Sequence, residues 1–249
     1  MKWIYISPHL DDAVYSCGGL IWEQTQSGQE VEIWTICAAD PPGDNYSKFA
    51  ETLHQNWNLG DKAISIRRDE DRKACQILGA SPRYFSTLDC IYRISPSGNF
   101  YYQNEEDLFG GLDPGEAPLI KILSEELKNQ IHPGAMVVSP LGIGNHVDHD
   151  LVRKAISRIG MPLYYYADYP YAREGMGQEI LEYLSVSPDW KKETFPISEN
   201  GIHKWQQASQ AYRSQIYIFW EDEGKLKDEI KAFSASMEGV SLWITFEND

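Results

Sequence analysis

Short apolar runs alternate with helical patterns along most of this 249-residue chain. Runs of β-forming residues predict strands at 3–7, 30–37, 83–88, 135–139 and 163–167. Between them, apolar residues at helical spacing predict helices at 13–26, 67–78, 119–130 and 147–159. Such alternation is typical of βαβ units. The sequence therefore predicts an α/β fold, a single Rossmann-like domain with a mostly parallel sheet flanked by helices.

Two segments depart from this alternation. Residues 39–46 carry two prolines and a glycine, and they predict a loop after the second strand. Residues 89–118 are rich in Ser, Gly, Asn, Tyr and acidic side chains and are too long for an ordinary connection, so we expect an insertion or lid there. Because the chain has no repeat and no low-complexity tract, we expect one domain over 1–249. Further elements predicted in the last third are helices at 202–213 and 225–233 and a strand at 242–246.

Charge and cysteine usage exclude several classes of function. Lys and Arg number 22 against 37 Asp and Glu, and the net charge of -15 is spread over the chain, which argues against binding to nucleic acid or to an anionic membrane. No apolar stretch is long enough to span a bilayer, and the N-terminus lacks the apolar region of a secretory signal. We therefore expect a cytoplasmic protein in which Cys17, Cys37, Cys75 and Cys90 stay reduced.

Two short motifs carry the candidate chemistry. PHLDD at 8–12 and HVDH at 146–149 each follow a predicted strand and precede a predicted helix, and together they hold three of the six histidines. Because parallel sheets place ligands at the carboxyl ends of their strands, the two motifs can meet there. Hydrolytic zinc sites use three His or carboxylate ligands and leave a fourth position for water. His9, Asp12 and His149 would supply that set, and Asp11 would remain to deprotonate the water.

Each motif also has a plainer interpretation. Asp11 or Asp12 could cap the helix that follows it, because Asp is a preferred N-cap residue. His146 and His149 could lie on the exposed first turn of their helix. One short motif would favour these interpretations, whereas two motifs at two strand ends favour a site.

With PHLDD early and HVDH late, the chain resembles the PIG-L / LmbE-like family of zinc-dependent N-acetylglucosaminyl de-N-acetylases. The helix carrying Arg67, Glu70, Ala74, Leu78 and Gly79 is similar to a pattern of that family. Further stretches that resemble the family are GIGNHVDHD at 142–150 and AYRSQ at 211–215. Leu10 stands where many relatives have proline, which leaves the ligands intact but removes a fixed φ from the loop.

The resemblance implies a metal-dependent hydrolase that removes an N-acyl group, expected to be N-acetyl, from a small substrate containing an amino sugar. It implies Zn²⁺, with Fe²⁺ as the alternative ion, bound by His9, Asp12 and His149. The implied partner is a small N-acetylated sugar conjugate, and the protein would act alone or as a homo-oligomer.

The resemblance also implies the catalytic roles. Asp11 would be the general base, ionised beside the dication, and His146 would stabilise the oxyanion or protonate the leaving amine while titrating near neutrality. Asp148 would orient His146, and Arg67 or its neighbour Arg68 would hold substrate hydroxyls. The insertion at 89–118 and the tyrosine-rich stretch 164–171 are the expected walls of the pocket.

Two other functions compete with this interpretation. Gly142-Ile143-Gly144 after a strand, with Asp168 downstream, imitates the fingerprint of a dinucleotide-binding oxidoreductase, although Val147 stands where the third glycine belongs. Fifteen tyrosines and eight tryptophans would suit a non-catalytic relative that binds carbohydrate. Strings typical of P-loop NTPases, zincins and serine hydrolases do not occur in the sequence.

Overall fold

The computed structural model describes residues 1–43, 45–173 and 175–245, in which the chain forms seven strands and ten α-helices. The strands are β1 (Lys2–Ser7), β2 (Glu30–Thr35), β3 (Ser81–Tyr84), β4 (Met136–Pro140), β5 (Leu163–Tyr166), β6 (Trp190–Phe195) and β7 (Val240–Thr245). The helices are α1 (Asp12–Gln26), α2 (Lys48–Asn56), α3 (Ala63–Leu78), α4 (Glu105–Phe109), α5 (Ala117–Gln130), α6 (Val147–Ser157), α7 (Met176–Val186), α8 (Glu199–Ser209), α9 (Arg213–Phe219) and α10 (Glu223–Ser236). Among these described helices, none has the length and apolar character that a bilayer span requires.

The strands form one sheet in the order β3-β2-β1-β4-β5-β7-β6. The first five strands are parallel, and β7 runs antiparallel to both β5 and β6. At the centre of the sheet, Tyr5 of β1 lies between Ile33 and Val138 of its two neighbours. The sequence after Lys2 is apolar on both faces because helices cover both sides of this strand. The predicted fold class, an α/β domain with a mostly parallel sheet flanked by helices, is confirmed.

Helix α1, which begins inside the first motif, is held by α8 from the last third of the chain. Trp205 is fully buried, and its indole Nε1 donates a hydrogen bond to the carbonyl of Tyr15 at 3.1 Å. A Cβ at Gly18 would lie 2.4 Å from Trp205 Cδ1, so any side chain at this position would collide with the indole. This close packing fixes the helix that presents the first motif.

Several predicted boundaries differ from the structure. The strand expected at 83–88 lies at Ser81–Tyr84, and the helix expected at 202–213 divides into α8 and α9. Strand β6 was not predicted, because its sequence WKKETF has the charged side chains of an exposed edge strand and no apolar alternation. Helices α2 and α7 were not predicted either. The strand expected at 242–246 is found as β7, and its last position, Phe246, lies outside the described residues, as does Asp44 of the loop expected at 39–46.

The 89–118 segment packs against the domain rather than standing free of it. Ile91, Tyr92, Tyr102 and Leu108 are buried in a second hydrophobic cluster, which includes Val147 at the start of α6. A cluster at this place supports the second motif from outside the sheet. That the segment is an insertion or lid stays a prediction, as does the extent of the domain over 1–249.

Candidate active site

The two motifs meet at the carboxyl ends of β1 and β4, which are neighbours in the sheet. The ring centroids of His9 and His146 are 4.9 Å apart, and those of His9 and His149 are 5.4 Å apart. All three imidazoles are largely shielded from solvent, and His149 has only 1% of its surface exposed. The histidines of α6 are therefore not on an exposed first turn.

Two of the predicted ligands, His9 and His149, approach the same carboxylate oxygen of the third, Asp12. Asp12 Oδ2 lies 3.3 Å from His9 Nδ1 and 3.3 Å from His149 Nε2. The same oxygen accepts the backbone NH of His9 at 2.7 Å, which closes the loop of the first motif. Asp11 occupies the N-cap position of α1, but its side chain makes no capping hydrogen bond. Helix capping thus does not account for either aspartate side chain.

The imidazoles of His9 and His149 are each hydrogen-bonded through their second ring nitrogen to another carboxylate. His9 Nε2 donates to Asp148 Oδ2 at 3.0 Å, and His149 Nδ1 donates to Asp168 Oδ1 at 2.7 Å. Burial lowers the pKa of both imidazoles, but the surrounding carboxylates outweigh it and raise the pKa of His9 well above its usual value and that of His149 to about 10. A cation bound at Asp12 would therefore displace the protons of His9 Nδ1 and His149 Nε2, the two nitrogens that face this carboxylate. A carboxylate behind each imidazole is the arrangement that fixes the tautomer of metal-binding histidines. Two imidazoles and one carboxylate prepared in this way fit a divalent cation.

Other donor groups lie nearby. His146 forms a second possible grouping with His9 and His149, and their ligand atoms lie within 4.8 Å of one another. Asp148 belongs to two further groupings within the same distance, one with Cys90 and His146 and one with His9 and Asp89. The two groupings with Asp148 are disfavoured because its carboxylate is occupied by Arg93 and by the Cys90 backbone. We favour the set around Asp12 over the three histidines because Asp12 Oδ2 lies 3.3 Å from both His9 and His149 and supplies a negative charge.

The carboxylate of Asp148, which the sequence predicts to orient His146, is hydrogen-bonded to His9. This carboxylate also binds Arg93 and the backbone NH of Cys90 at 3.0 Å. His146 is instead contacted by the backbone of Asp148, whose NH donates to His146 Nδ1 at 3.2 Å. Burial opposes ionisation of Asp148, but the attraction of Arg93 and His9 outweighs it and holds the pKa well below its usual value. Asp148 therefore orients His9.

Asp168, which the sequence suggested only as part of a dinucleotide fingerprint, belongs to the candidate site through its contact with His149. Its second oxygen accepts the backbone NH groups of Gly142 at 2.8 Å and Ile143 at 2.9 Å. These are amides that a dinucleotide-binding turn would offer to a phosphate, so the oxidoreductase interpretation loses its support. Asp168 follows β5, the next strand of the sheet after β4, and a carboxylate at that strand end was the available signal.

Asp11 and Arg67 form the side of the site next to α3. Arg67 Nη2 lies 3.6 Å from Asp11 Oδ2, and the guanidinium stacks 5.0 Å from the ring of Trp57. Burial raises the pKa of Asp11 to about 6, although the charge of Arg67 opposes the shift. Arg68, the other arginine considered for substrate binding, is instead bound to Asp40 at 2.6 Å. Arg67 is thus the arginine that faces the site.

His146 does not have the near-neutral pKa that the sequence analysis expected. Burial, and next the positive charge of His9, lower the pKa of His146 well below its usual value. A dication held beside it would act in the same direction. Because His146 Nδ1 accepts a hydrogen bond from the Asp148 backbone, its proton is on Nε2. His146 is therefore a neutral hydrogen-bond donor.

Comparison with known proteins agrees with this geometry. The family model PIG-L, described as GlcNAc-PI de-N-acetylase, matches residues 4–159, which is more than half of the chain. This chain belongs to the PIG-L family. The match includes both motifs but ends before Asp168 and before α8, which complete the site and its framework.

The relatives of this PIG-L protein include deacetylases of amino sugars and glycoconjugates. A 2'-N-acetylparomamine deacetylase of Niallia circulans is 30% identical over 185 residues, which are 68% of this chain and 66% of that protein. The matched part thus spans slightly less than two thirds of that relative. Among solved structures, a deacetylase of the teicoplanin biosynthesis pathway superposes with a TM-score of 0.82 at 25% identity, covering 98% of this chain and 97% of the other. The A40926 pseudoaglycone deacetylase superposes with a TM-score of 0.74 at 26% identity and covers 99% of this chain and 97% of its own.

A cavity of about 1020 Å³ opens above the candidate site of this PIG-L protein. Asp11, Arg67 and His146 line its polar part, and the 89–118 segment contributes apolar side chains, among them Phe109. Of the tyrosine-rich stretch 164–171, Tyr171 lines the cavity. The run of three tyrosines belongs to β5, and Tyr166 is fully buried with its hydroxyl on the carbonyl of Ile6. These strand tyrosines pack the sheet and do not form a carbohydrate-binding wall.

Two stretches that resemble the PIG-L family, the pattern on α3 and AYRSQ at 211–215, are hydrogen-bonded to each other. Glu70 of α3 accepts from the backbone NH of Ser214 at 3.0 Å and from its hydroxyl at 2.6 Å. The buried Asp71 accepts hydroxyl hydrogen bonds from Tyr212 at 2.7 Å and Tyr84 at 2.8 Å. The AYRSQ stretch therefore fixes α9 against the helix that carries Arg67.

The stability of this PIG-L protein should depend on the ionisation of Asp71. Burial raises its pKa from 3.8 to about 6, so the folded state prefers the neutral carboxyl, and this contribution to stability is present below pH 3.8 and lost as pH rises through about 6. A shift of that size is worth about 3 kcal/mol. We expect Asp71→Asn to gain about 2–3 kcal/mol in the free energy of unfolding, relative to wild type, between about pH 4 and about pH 8. Urea unfolding at both pH values measures the difference, and a constant difference would contradict the assignment.

Proposed function

We propose that this PIG-L protein is a metal-dependent hydrolase that removes the N-acetyl group of an amino sugar carried by a larger conjugate. The observation that carries the proposal is the position of the Asp12 carboxylate between His9 and His149. Each of these imidazoles donates a hydrogen bond from its other ring nitrogen to a buried carboxylate. Beside this set, Asp11 makes no capping bond and faces the cavity. The deacetylase names of its relatives support the same chemistry.

The ion we propose is Zn²⁺, held by His9, Asp12 and His149, with Fe²⁺ as the alternative. When bound, such an ion supplies a Lewis acid that polarises the amide carbonyl and lowers the pKa of water. The chain supplies the proton transfers and holds the substrate.

Asp11 is the proposed general base. With a pKa of about 6, most of its carboxyl population is ionised at neutral pH, as acceptance of a proton from the attacking water requires. The ion pair with Arg67 holds the carboxylate in one orientation. Once protonated, Asp11 can pass the proton to the departing amine nitrogen, so that one carboxyl group serves both halves of the hydrolysis.

His146 is the proposed donor to the oxyanion. Its neutral imidazole carries a proton on Nε2 and borders the cavity next to His9. A neutral donor in a buried site stabilises developing negative charge without having to give up its proton. Arg67 is the proposed substrate contact: its Nε is buried and has no acceptor within the described part of the chain, which leaves it for a substrate oxygen.

The walls of the cavity support a conjugate with an apolar portion. Phe109 of α4 is 39% exposed, and Tyr217 and Ile218 of α9 are 72% and 50% exposed, and all three line the cavity. A free amino sugar is small and polar and would leave these side chains in water. The relatives named for paromamine, teicoplanin and A40926 pseudoaglycone are consistent with a sugar on a larger aglycone.

Removal of the metal should abolish turnover. Dialysis against a chelator takes away the ion that polarises the carbonyl, so we expect acetate release from an N-acetylglucosamine conjugate to fall to background and to return with stoichiometric Zn²⁺. Metal analysis and an acetate assay on the same samples measure both. Full activity of a metal-free sample would refute the proposal.

Replacement of the base should separate catalysis from binding. We expect Asp11→Asn to keep the metal, since the three ligands remain, and to lower kcat by about 10²–10⁴-fold. Asp40→Asn is the matched control, since Asp40 is an exposed carboxylate paired with Arg68, and this variant should keep wild-type kcat. If Asp11→Asn retained full activity, Asp11 would not be the base. If wild type bound the conjugate and metal but released no acetate, the non-catalytic carbohydrate-binding alternative would replace our proposal.

The apolar cavity walls should favour substrates with an apolar aglycone. Burial of two methylene groups is worth about 1.6 kcal/mol, or roughly tenfold in kcat/KM, so an alkyl glycoside of N-acetylglucosamine should be hydrolysed more efficiently than the free sugar. Ile218→Ser should reduce that ratio and leave hydrolysis of the free sugar nearly unchanged. Equal kcat/KM for the two substrates in wild type would show that these walls do not bind the aglycone.

A further inference from the structure

The 89–118 segment places a buried guanidinium behind the candidate metal site. Arg93 is 5% exposed and binds Asp148 Oδ1 through Nη1, which also donates to the carbonyl of Leu88 at 3.1 Å. The other edge of the guanidinium binds Glu116, through Nε to Oε1 and through Nη2 to Oε2 at 3.0 Å. Glu116 is itself 3% exposed and accepts the hydroxyl of Tyr102 at 2.5 Å.

These contacts continue directly to a predicted ligand. Asp148, which is fully buried, uses one oxygen for Arg93 and the other for His9 Nε2 at 3.0 Å. The opposite nitrogen of that imidazole, Nδ1, faces Asp12 at 3.3 Å. A chain of contacts therefore runs from Glu116 through Arg93 and Asp148 to His9, and it begins in a segment that supplies none of the predicted ligands.

The planar guanidinium explains how such a chain can position a side chain. Its donors have a fixed fork geometry, so the two contacts with Glu116 fix the direction in which Nη1 meets Asp148 Oδ1. With the backbone NH of Cys90 on Oδ2 at 3.0 Å, this contact sets the orientation of the Asp148 carboxylate. In that orientation Oδ2 meets His9 and holds the imidazole with Nδ1 toward Asp12. Lysine has a single ammonium group and cannot make the same set of contacts.

We propose that Arg93 is a positioning residue that raises the affinity of the site for its divalent cation by orienting His9 through Asp148. The inference rests on the metal site proposed above. It assigns the 89–118 segment a part in metal binding: the correct packing of this segment delivers the guanidinium on which the first ligand depends. Partners behind metal-binding histidines typically contribute 10–100-fold in metal affinity.

A purely structural role of the ion pair makes a different prediction. A buried Arg–Glu pair that only fastens the segment would change the thermal stability of the metal-free protein, and folded molecules would bind the ion as before. The zinc dissociation constant of the folded full-length chain, measured by competition with a chromophoric chelator at constant pH, separates the two roles.

We expect Arg93→Lys to raise the zinc Kd roughly tenfold while circular dichroism stays native. Arg173→Lys is the matched control, since Arg173 is also paired with a glutamate, Glu229 of α10, and its Kd should stay within about twofold of wild type. A Kd for Arg93→Lys within twofold of wild type would overturn the inference. If Arg93→Lys does not fold, Glu116→Gln, which removes the charge that holds Arg93, is judged by the same criterion.

A double-mutant cycle tests whether Arg93 acts through Asp148. If it does, Arg93→Lys should weaken zinc binding much less in an Asp148→Asn background than in wild type. Additive effects on the Kd would overturn the route through Asp148. The two proposals fail separately: a wild-type chain that binds no zinc contradicts the proposed metal site, whereas wild-type binding with an unaffected Arg93→Lys contradicts this inference alone.

Discussion

One oxygen of Asp12 shared by two imidazoles is the contact on which the rest of the site depends. Around it the fold buries the carboxylates of Asp11, Asp148 and Asp168, and buried charge is costly unless it is paired. The protein pairs each carboxylate with a different group: an arginine for Asp11, an arginine and His9 for Asp148, and His149 with two backbone amides for Asp168. The metal we propose would complete this balance at Asp12.

The sheet topology brings these groups together without long excursions of the chain. Because β1, β4 and β5 are adjacent and parallel, the loops that follow them open at the same edge of the sheet. His9 comes from the first loop, His149 from the first turn of the helix after the second, and Asp168 from the third loop. Helix α3, which lies between β2 and β3 in the chain, brings Arg67 next to Asp11 of the same site. An ordinary arrangement of parallel strands thus collects ligands, orienting carboxylates and a cationic side chain in one place.

The sequence predicted the fold class and the meeting of the two motifs, because both depend on local patterns that repeat along the chain. Strand β1 is apolar from Trp3 to Ile6, and each motif lies between a strand and a helix. The partners of the ligands were not predictable in this way. Arg93 belongs to no motif, and Asp168 appears in the sequence only as part of an imitated dinucleotide fingerprint, so only the folded chain shows that they contact Asp148 and His149. The prediction that the tyrosines of β5 form a pocket wall was wrong, because an aromatic run in a strand has the same pattern whether it packs the sheet or lines a pocket.

The contact between Trp205 and α1 also shows which parts of the chain depend on one another. The indole lies on Gly18, inside the region that the family model covers, while Trp205 itself lies beyond that region. Asp168 has the same relation to His149. The carboxy-terminal third is therefore not a separable unit, because Trp205 and Asp168 are hydrogen-bonded to Tyr15 and His149 of the matched region. Tyr217 and Ile218 of α9 are exposed and line the cavity, so a substitution there changes the wall that a substrate meets and leaves these buried contacts in place.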